Sequence, residues 1–240
     1  MVSYPQLVQF PIVKRLQRRT VINRAQDGRV FKFADPAGEI TEWQLSYSEL
    51  SDEEIAVLQE FFVAMEGTLN EFTFLDPTAN LLAWSDKLDE TVWLKGPMLS
   101  VSGKQLTNSG AGPQAISQTI AGPAGYLYCF SAYVRAAEPT SVTIFAGSER
   151  STQLAGGEWR RIQLAPAVDD PTFGLEIPAG GCVDVRGLQV EAQAGASVEQ
   201  TGTRGGVYEG ARLRDDVLAI ETTGLNRHSC TVNIVHAIHI

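Results

Sequence analysis

The sequence changes its pattern twice, and these two changes constrain the fold more than any other feature. A strand-like alternation runs through NEFTFLDP and stops at Asp76-Pro77, because proline has no amide hydrogen with which to continue a strand ladder. From TANLLAWSD onward the alternating runs are short and are separated by Gly, Ser, Thr and Pro. Longer apolar alternation returns only after the glycine-rich GTRGG at 202–206. The pattern therefore predicts three segments: 1–78, 79–204 and 205–240.

The first segment predicts a strand, a helix and a second strand. In EITEWQLSYSEL, apolar and polar residues alternate with the period of a half-buried strand. Ser51 stands three residues before Glu54, which is the spacing of a capping box at a helix start. Apolar residues then recur at helical spacing as far as Met65, and Gly67 stands where a left-handed cap would end the helix. NEFTFLDP returns to strand, so one amphipathic helix is expected between two strands.

The central segment predicts an all-β sandwich. Gly, Ser, Thr and Pro separate short alternating runs at the spacing of antiparallel strands. YLYCFSAYVRA places Tyr133 and Arg135 on one face, and similar alternation occurs in SVTIFAG, EWRRIQLAP, TFGLEIPAG and CVDVRGLQVEAQ. With 44% hydrophobic residues in a chain of 240, such a segment can bury a sizeable core.

The last segment, DDVLAIETTGLNRHSCTVNIVHAIHI, predicts two strands around a turn that contains Gly224. A terminal hairpin cannot bury an apolar face by itself. We therefore expect the last strands to complete a domain that the first segment begins, with the central segment inserted between them.

Charge is unevenly distributed along the chain. Residues 1–32 hold seven basic residues and one acidic residue, whereas the remainder holds twelve basic and twenty-seven acidic residues. The stretch VKRLQRRTVINR mixes its arginines with apolar residues and has no aromatic stacking platform, so sequence-specific nucleic-acid binding is not expected. We expect Arg15, Arg18 and Arg19 to meet the acidic body of a neighbouring subunit, and a solvated strand pair is the alternative.

Motifs for catalysis or metal binding are not found in the sequence. The last strand holds all three histidines: His228, His236 and His239. No nucleophile elbow, phosphate-binding loop or zinc-binding helix motif accompanies them. Asp86, Asp89 and Glu191 are candidate calcium ligands, but their spacing closes no coordination shell. We therefore expect no enzyme activity, no metal and no cofactor.

The first segment resembles the hub domain of distal tail and minor tail proteins of long-tailed bacteriophages. The resemblance lies in the alternating strand, the helix LSDEEIAVLQEFFVAMEG and the strand NEFTFLDP, and it covers roughly the first third of the chain. It implies a small β-barrel with one helix that assembles into a ring, a homohexamer, at the end of the tail tube. The implied fold class is mainly β, with a split β-barrel hub domain interrupted by an inserted antiparallel β-sandwich, or jelly roll.

The central segment is similar to the jelly-roll carbohydrate-binding modules of phage tail proteins and secreted glycosidases. Four pieces match in order: NLLAWSDKLDETVW, ISQTIAG with YLYCFSAYVRA, EWRRIQL, and VRGLQVEAQAGASVEQT. Such modules carry an aromatic residue beside the final threonine, where this chain has SVEQT. The resemblance implies that aromatic rings stack on sugars and makes the candidate platforms Trp93, Tyr133 and Trp159. Arg135 and Arg160 are candidates to pair with an acidic glycan. Core packing of the rings and solvated arginines are the alternatives.

Together these features predict a structural component of a phage tail tip, whose peripheral sandwich adheres to a host-surface glycan. The implied partners are further copies of the chain, the tail tube protein and the tail-tip hub and fibre proteins. The implied location is the virion, after assembly in the host cytoplasm. Membrane insertion and export through a signal peptide are not expected, because no apolar run spans a bilayer and MVSYPQLVQF lacks a signal-peptide layout. The alternative is a free-standing glycan-binding module or adhesin from a bacterial surface or a secreted enzyme.

Overall fold

The computed structural model describes residues 2–237, and the chain divides into two compact units. The first unit comprises Met1–Phe74 and Tyr208–Ile240, and the second comprises Leu75–Val207. Within the second unit, the Asp76 amide donates to the Gly206 carbonyl at 2.8 Å, so the incoming and outgoing chain lie side by side. His239 and the end of the predicted last segment lie outside the described residues.

Residues 2–237 contain one α-helix and eighteen β-strands. The elements that precede the second unit are β1 (Ile12–Arg24), β2 (Val30–Leu50), α1 (Asp52–Ala64) and β3 (Phe72–Leu75). The strands of the second unit are β4 (Leu94–Lys95), β5 (Leu99–Ser102), β6 (Gln105–Asn108), β7 (Gln114–Thr119), β8 (Tyr126–Leu127), β9 (Cys129–Arg135), β10 (Thr140–Ala146), β11 (Glu149–Ala155), β12 (Arg160–Leu164), β13 (Ala167–Val168), β14 (Thr172–Ile177) and β15 (Cys182–Glu191). The last strands are β16 (Val207–Leu213), β17 (Ile220–Gly224) and β18 (Arg227–Ala237). No helix in this range is long and apolar enough to cross a membrane.

The strands of the first unit form one sheet in the order β1-β2-β18-β16-β3, and β17 pairs with β18. The central position of β18 places Val232 opposite Leu45 and Ile234 opposite Trp43, so the last strand joins the two separated parts of the chain. The barrel predicted for this unit is not formed within residues 2–237. The sheet is open, because β1 pairs only with β2 and the short β3 lies at the other end of the strand order.

Aromatic residues fill the core of the first unit. Trp43 packs against Phe74 and Tyr208, with ring centroids 4.9 and 4.6 Å apart. The hydroxyls of Tyr4 and Tyr47 lie 2.9 Å apart, so each buried phenol gives the other a hydrogen-bond partner. The helix contributes three buried residues to the same cluster: Ile55, Leu58 and Phe61.

The helix begins and ends as its sequence predicts. The Ser51 hydroxyl accepts a hydrogen bond from the Glu54 amide at 3.2 Å, and the Glu54 carboxylate accepts one from the Ser51 amide at 2.9 Å. The predicted capping box is therefore confirmed. Gly67 has a φ of +65°, the left-handed conformation expected beyond the last turn. An added Cβ at Gly67 would collide with the Asp216 carboxylate, so conformation and space both favour glycine.

Replacing Ser51 by Ala is expected to destabilise the first unit by about 1 kcal/mol, because the Glu54 amide loses its acceptor. Chemical denaturation with hydrogen exchange read at the amides of α1 measures this loss. Ser48 is exposed, so Ser48→Ala provides the control and should change stability by less than about 0.5 kcal/mol. A change as small as the control for Ser51→Ala would contradict the role of the cap.

The second unit is an antiparallel β-sandwich. One five-stranded sheet has the order β11-β10-β14-β7-β4, and the other has the order β12-β9-β15-β6-β5. Phe173 of the first sheet packs against Phe130 of the second with ring centroids 6.0 Å apart. Val134 and Ile144, one from each sheet, are fully buried in the same cluster. The predicted mainly β class is confirmed.

Residues 76–93 contain no strand, and Asn80 anchors this segment to the sandwich. The Asn80 side chain is buried and makes four hydrogen bonds. Its amide nitrogen donates to the carbonyls of Leu188 and Gln200 at 2.8 and 3.0 Å. Its oxygen accepts from the amides of Leu82 and Val190, both at 3.0 Å. One side chain therefore fixes three separate parts of the unit.

Candidate ligand-binding face of the sandwich

The outer surface of the sheet β12-β9-β15-β6-β5 carries a compact group of aromatic and charged side chains. On β9, Tyr133 and Arg135 point outward on either side of the buried Val134. The register places Arg161 and Arg186 on opposite sides of Tyr133, and Asp184 beside Arg135. Trp159 immediately precedes β12 and so lies on the other side of Arg135. We call this group the aromatic–arginine face: Tyr133, Arg135, Trp159, Arg161, Asp184 and Arg186.

Guanidinium groups lie over both rings of this face. The guanidinium carbons of Arg135 and Arg186 are 4.8 and 5.0 Å from the centroid of the Trp159 ring. The Arg186 group is also 4.7 Å from the centroid of Tyr133, and Arg161 is 5.4 Å from it. These distances are within the range of cation–π attraction. Because Arg135 and Arg186 belong to strands of this sheet, the indole of Trp159 lies beside the sheet's charged side chains, and it is half-buried there.

Two of the arginines are also held by carboxylates. Arg135 donates to one Asp184 oxygen from two nitrogens, at 2.7 and 3.3 Å. Arg186 donates to Glu199 at 3.2 Å. With each guanidinium fixed between a ring and a carboxylate, the ring positions are fixed as well. A pre-organised face of this kind loses little side-chain entropy when a ligand binds.

The loop that follows β15 packs over polar groups at the edge of the face. Arg161 donates to the Ser131 hydroxyl at 3.0 Å and to the Ser197 carbonyl. Gln189, which is fully buried, donates to the Ser197 hydroxyl at 3.1 Å, and the Glu191 carboxylate accepts from the Ser197 amide at 3.0 Å. The stretch SVEQT, which lacks the aromatic residue expected from the resemblance, therefore serves to fix this loop.

Two cavities adjoin the face. One, of about 230 Å³, is lined by Arg135 and Asp184 together with Gln105, Glu138 and Cys182. The other, of about 180 Å³, is lined by Arg186 and Glu199 with Ser85, Asp86, Lys104 and Thr201. Each cavity is thus lined by an arginine–carboxylate pair, which provides hydrogen-bond donors and acceptors side by side.

The structure brings together three of the four predicted sugar-binding residues: Tyr133, Arg135 and Trp159. Trp93 is not among them, since it is 2% exposed and its Nε1 donates to the Trp84 carbonyl at 3.0 Å. A buried ring offers no free face for a sugar, so Trp93 fills the core instead. Arg160 pairs across the strands with the inward-facing Val134, and it therefore lies off the face.

The face also contains residues that the sequence did not single out: Arg161, Asp184 and Arg186. Their alternation with buried Ile162 and Val185 was a usable signal for their outward direction. The order of the strands, which places them beside Tyr133 and Trp159, was not readable from that alternation.

The candidate calcium ligands Asp86, Asp89 and Glu191 form no metal-binding group. Across residues 2–237, no cluster of three or more His, Cys, Asp or Glu side chains is arranged to hold a metal ion. Glu191 instead binds the loop through Ser197 and Gln193, the latter at 2.9 Å.

The predicted interface residues Arg15, Arg18 and Arg19 all lie on β1 and are exposed. Arg15 donates to the Gln44 side chain at 3.2 Å, and Arg19 donates to Asp35 at 2.6 Å. Their role in a subunit contact stays a prediction.

No protein-family model and no curated protein matches the chain. Among solved structures, the enzymatically active domain of tailspike protein 4 of bacteriophage CBA120 is similar at 12% identity with a TM-score of 0.39, over 50% of this chain and 22% of that one. A family 4 carbohydrate-binding module, CBM4, is similar at 12% identity with a TM-score of 0.35, over 42% of this chain and 95% of that one. The family 11 carbohydrate-binding module of a Clostridium thermocellum cellulase is similar at 11% identity with a TM-score of 0.33, over 48% and 96%. At these values the similarities assign no function to this chain.

Proposed function

We propose that the second unit binds carbohydrate on the aromatic–arginine face. The observation that carries this proposal is the half-buried Trp159 ring, which has two guanidinium groups 4.8 and 5.0 Å from its centroid. A sugar ring presents a face of C–H groups, and these are attracted to the electron-rich face of an indole. The exposed part of the Trp159 ring is the platform.

The charged groups beside Trp159 can form hydrogen bonds with the hydroxyls at the edge of a sugar ring. Sugar hydroxyls both donate and accept hydrogen bonds, and the pairs Arg135–Asp184 and Arg186–Glu199 offer both kinds of partner side by side. The three guanidinium groups favour a saccharide that carries carboxylate or other anionic groups. Tyr133 shares Arg186 with Trp159 and extends the platform toward a second sugar unit.

Binding without catalysis is part of this proposal. Glycosidic bond cleavage commonly uses two carboxyl groups with distinct roles on either side of the bond, one of which transfers a proton. The carboxylates of Asp184 and Glu199 each accept hydrogen bonds from an arginine, and in this proposal they also accept hydrogen bonds from sugar hydroxyls.

Replacing Trp159 by Ala in the full chain is expected to weaken glycan binding roughly fivefold, since an aromatic contact contributes about 1 kcal/mol and 1.4 kcal/mol is a factor of ten. A glycan array identifies the saccharide, and titration calorimetry measures the change in affinity. The matched control is Trp84→Ala, because Trp84 is also half-buried and has the Lys87 nitrogen 5.0 Å from its ring, but is not one of the six residues of the face. Failure of the intact chain to bind any glycan, or equal losses from the two substitutions, would refute the proposed site.

A structural role in a phage tail tip is our second proposal, and an exposed part of the first unit supports it. Residues 15–34, which we call the ribbon, belong to β1, β2 and their turn, and every residue among them is exposed. Such a two-stranded extension is too thin to bury its own side chains and is suited to contact other subunits. In this role the chain would form a ring with copies of itself in the virion and would contact the tail tube, hub and fibre proteins, with the sandwich available to a host-surface glycan.

A further inference from the structure

The ribbon exposes apolar and basic side chains together on one of its faces. The register places Ile22 opposite Lys32 and Arg24 opposite Val30, so these four side chains share a face. Ile22 and Val30 are 56% and 48% exposed. Within residues 2–237, Arg24 and Lys32 have no ion-pair partner. We call these four residues the basic ribbon face.

The helix α1 presents the opposite charge in a similar arrangement. Its inner side packs into the core, while its outer side exposes Glu53, Val57, Glu60 and Val63. Val57 and Val63 are 45% and 72% exposed, which is unusual for valines on a helix that already has a buried side. In the described part of the chain, neither Glu53 nor Glu60 forms an ion pair. We call these four residues the acidic helix face.

We propose that the basic ribbon face of one copy docks on the acidic helix face of a second copy. Both surfaces carry two apolar and two like-charged side chains, and the charges of the two surfaces are opposite. The spacing also agrees: residues two apart on a strand are about 6.7 Å apart, and residues four apart on a helix are about 6 Å apart. Ile22 and Arg24 can therefore meet Val57 and Glu53 at the same time.

Charge complementarity selects a second copy as the partner. Residues 14–35 hold seven basic and two acidic residues, while the rest of the chain holds twelve basic and twenty-six acidic residues. The two faces differ, so the contact is heterologous and each copy keeps one unused face for the next copy, which yields a ring or a filament. This inference deepens the proposed structural role and is independent of the glycan-binding face.

The test is a charge exchange in the full chain, with mass measured by light scattering and native mass spectrometry. The wild type is expected to be an oligomer that high salt dissociates. Arg24→Glu with Lys32→Glu, or Glu53→Lys with Glu60→Lys, should each weaken association at least tenfold. The four substitutions together should restore the oligomer, because the charges are again complementary. Glu158→Lys with Arg160→Glu, on the second unit, is the control and should leave the mass unchanged.

The possible outcomes distinguish a failure of this interface from a failure of the proposed ring. A monomeric wild type, including one that binds nucleic acid through the ribbon, would overturn both the interface and the ring. An oligomer that survives either pair of reversals, or that the exchange does not restore, would overturn the interface and leave the ring standing. Glycan binding by Trp159 is measured separately and is expected to persist in the dissociated variants.

Discussion

Replacing Asn80 by Ala is expected to destabilise the sandwich by about 4 kcal/mol. The substitution removes four hydrogen bonds at once and leaves the amides of Leu82 and Val190 and the carbonyls of Leu188 and Gln200 without that partner. Each buried polar group left unpaired costs about 1–3 kcal/mol, and local relaxation recovers part of the sum. The effect is large because Asn80 is itself buried, so water reaches these groups poorly.

Hydrogen exchange of the β15 amides measures this change within the second unit, so the result does not depend on the stability of the first unit. The control is Gln163→Ala, since Gln163 is exposed within the second unit and should change stability by less than about 0.5 kcal/mol. A loss below about 1 kcal/mol for Asn80→Ala would mean that its hydrogen bonds do not hold the segment in place.

A chain that ends at Val207 is expected to lose the fold of the first unit entirely and to keep the sandwich folded. The truncation removes β18, the strand between β2 and β16. It also removes six members of the first core: Tyr208, Ala211, Leu213, Cys230, Val232 and Ile234. Their burial contributes roughly 10 kcal/mol, which is comparable to the whole stability of a typical domain at about 5–15 kcal/mol.

Limited proteolysis with mass spectrometry checks this prediction, and the protected fragment should begin close to Leu75. The excised segment Leu75–Val207 is the companion sample and should show a cooperative unfolding transition and a β-sheet circular dichroism spectrum. Persistent protection of the α1 amides in the truncated chain would show that the first unit does not need its last strand. A disordered excised segment would show that the sandwich depends on the first unit.

Local chemistry made the helix and many of the strands predictable. The Ser51–Glu54 capping box and the left-handed Gly67 depend on residues within one or two turns, so the sequence alone determined where the helix begins and ends. The outward direction of Tyr133 and Arg135 follows from the two-residue period of a strand. Composition and alternation likewise determined the mainly β class.

The open sheet and the long ribbon were decided by contacts between distant residues. The barrel was expected from the resemblance to tail hub domains, but the sequence does not state whether the edges of a sheet will meet. In the structure, β2 continues through Asp35-Pro36, a pair typical of turns, because β1 pairs with it on both sides of a register shift at 17–19. Trp93 was a candidate platform because residue type alone does not distinguish a buried tryptophan from an exposed one.

The aromatic–arginine face needed both kinds of information. Alternation determined which way Trp159 and Tyr133 point, but the register of β15 brought Arg186 to them. That register shifts between Arg186 and Gln189, where Gly187 has a φ of +58°. The extra residue keeps Arg186 outward and turns Leu188 and Val190 into the core, against a strict two-residue period. Local alternation is determined by sterics within the chain, whereas the strand beside each residue depends on hydrogen bonds formed across the sheet, and only the tertiary structure contains them.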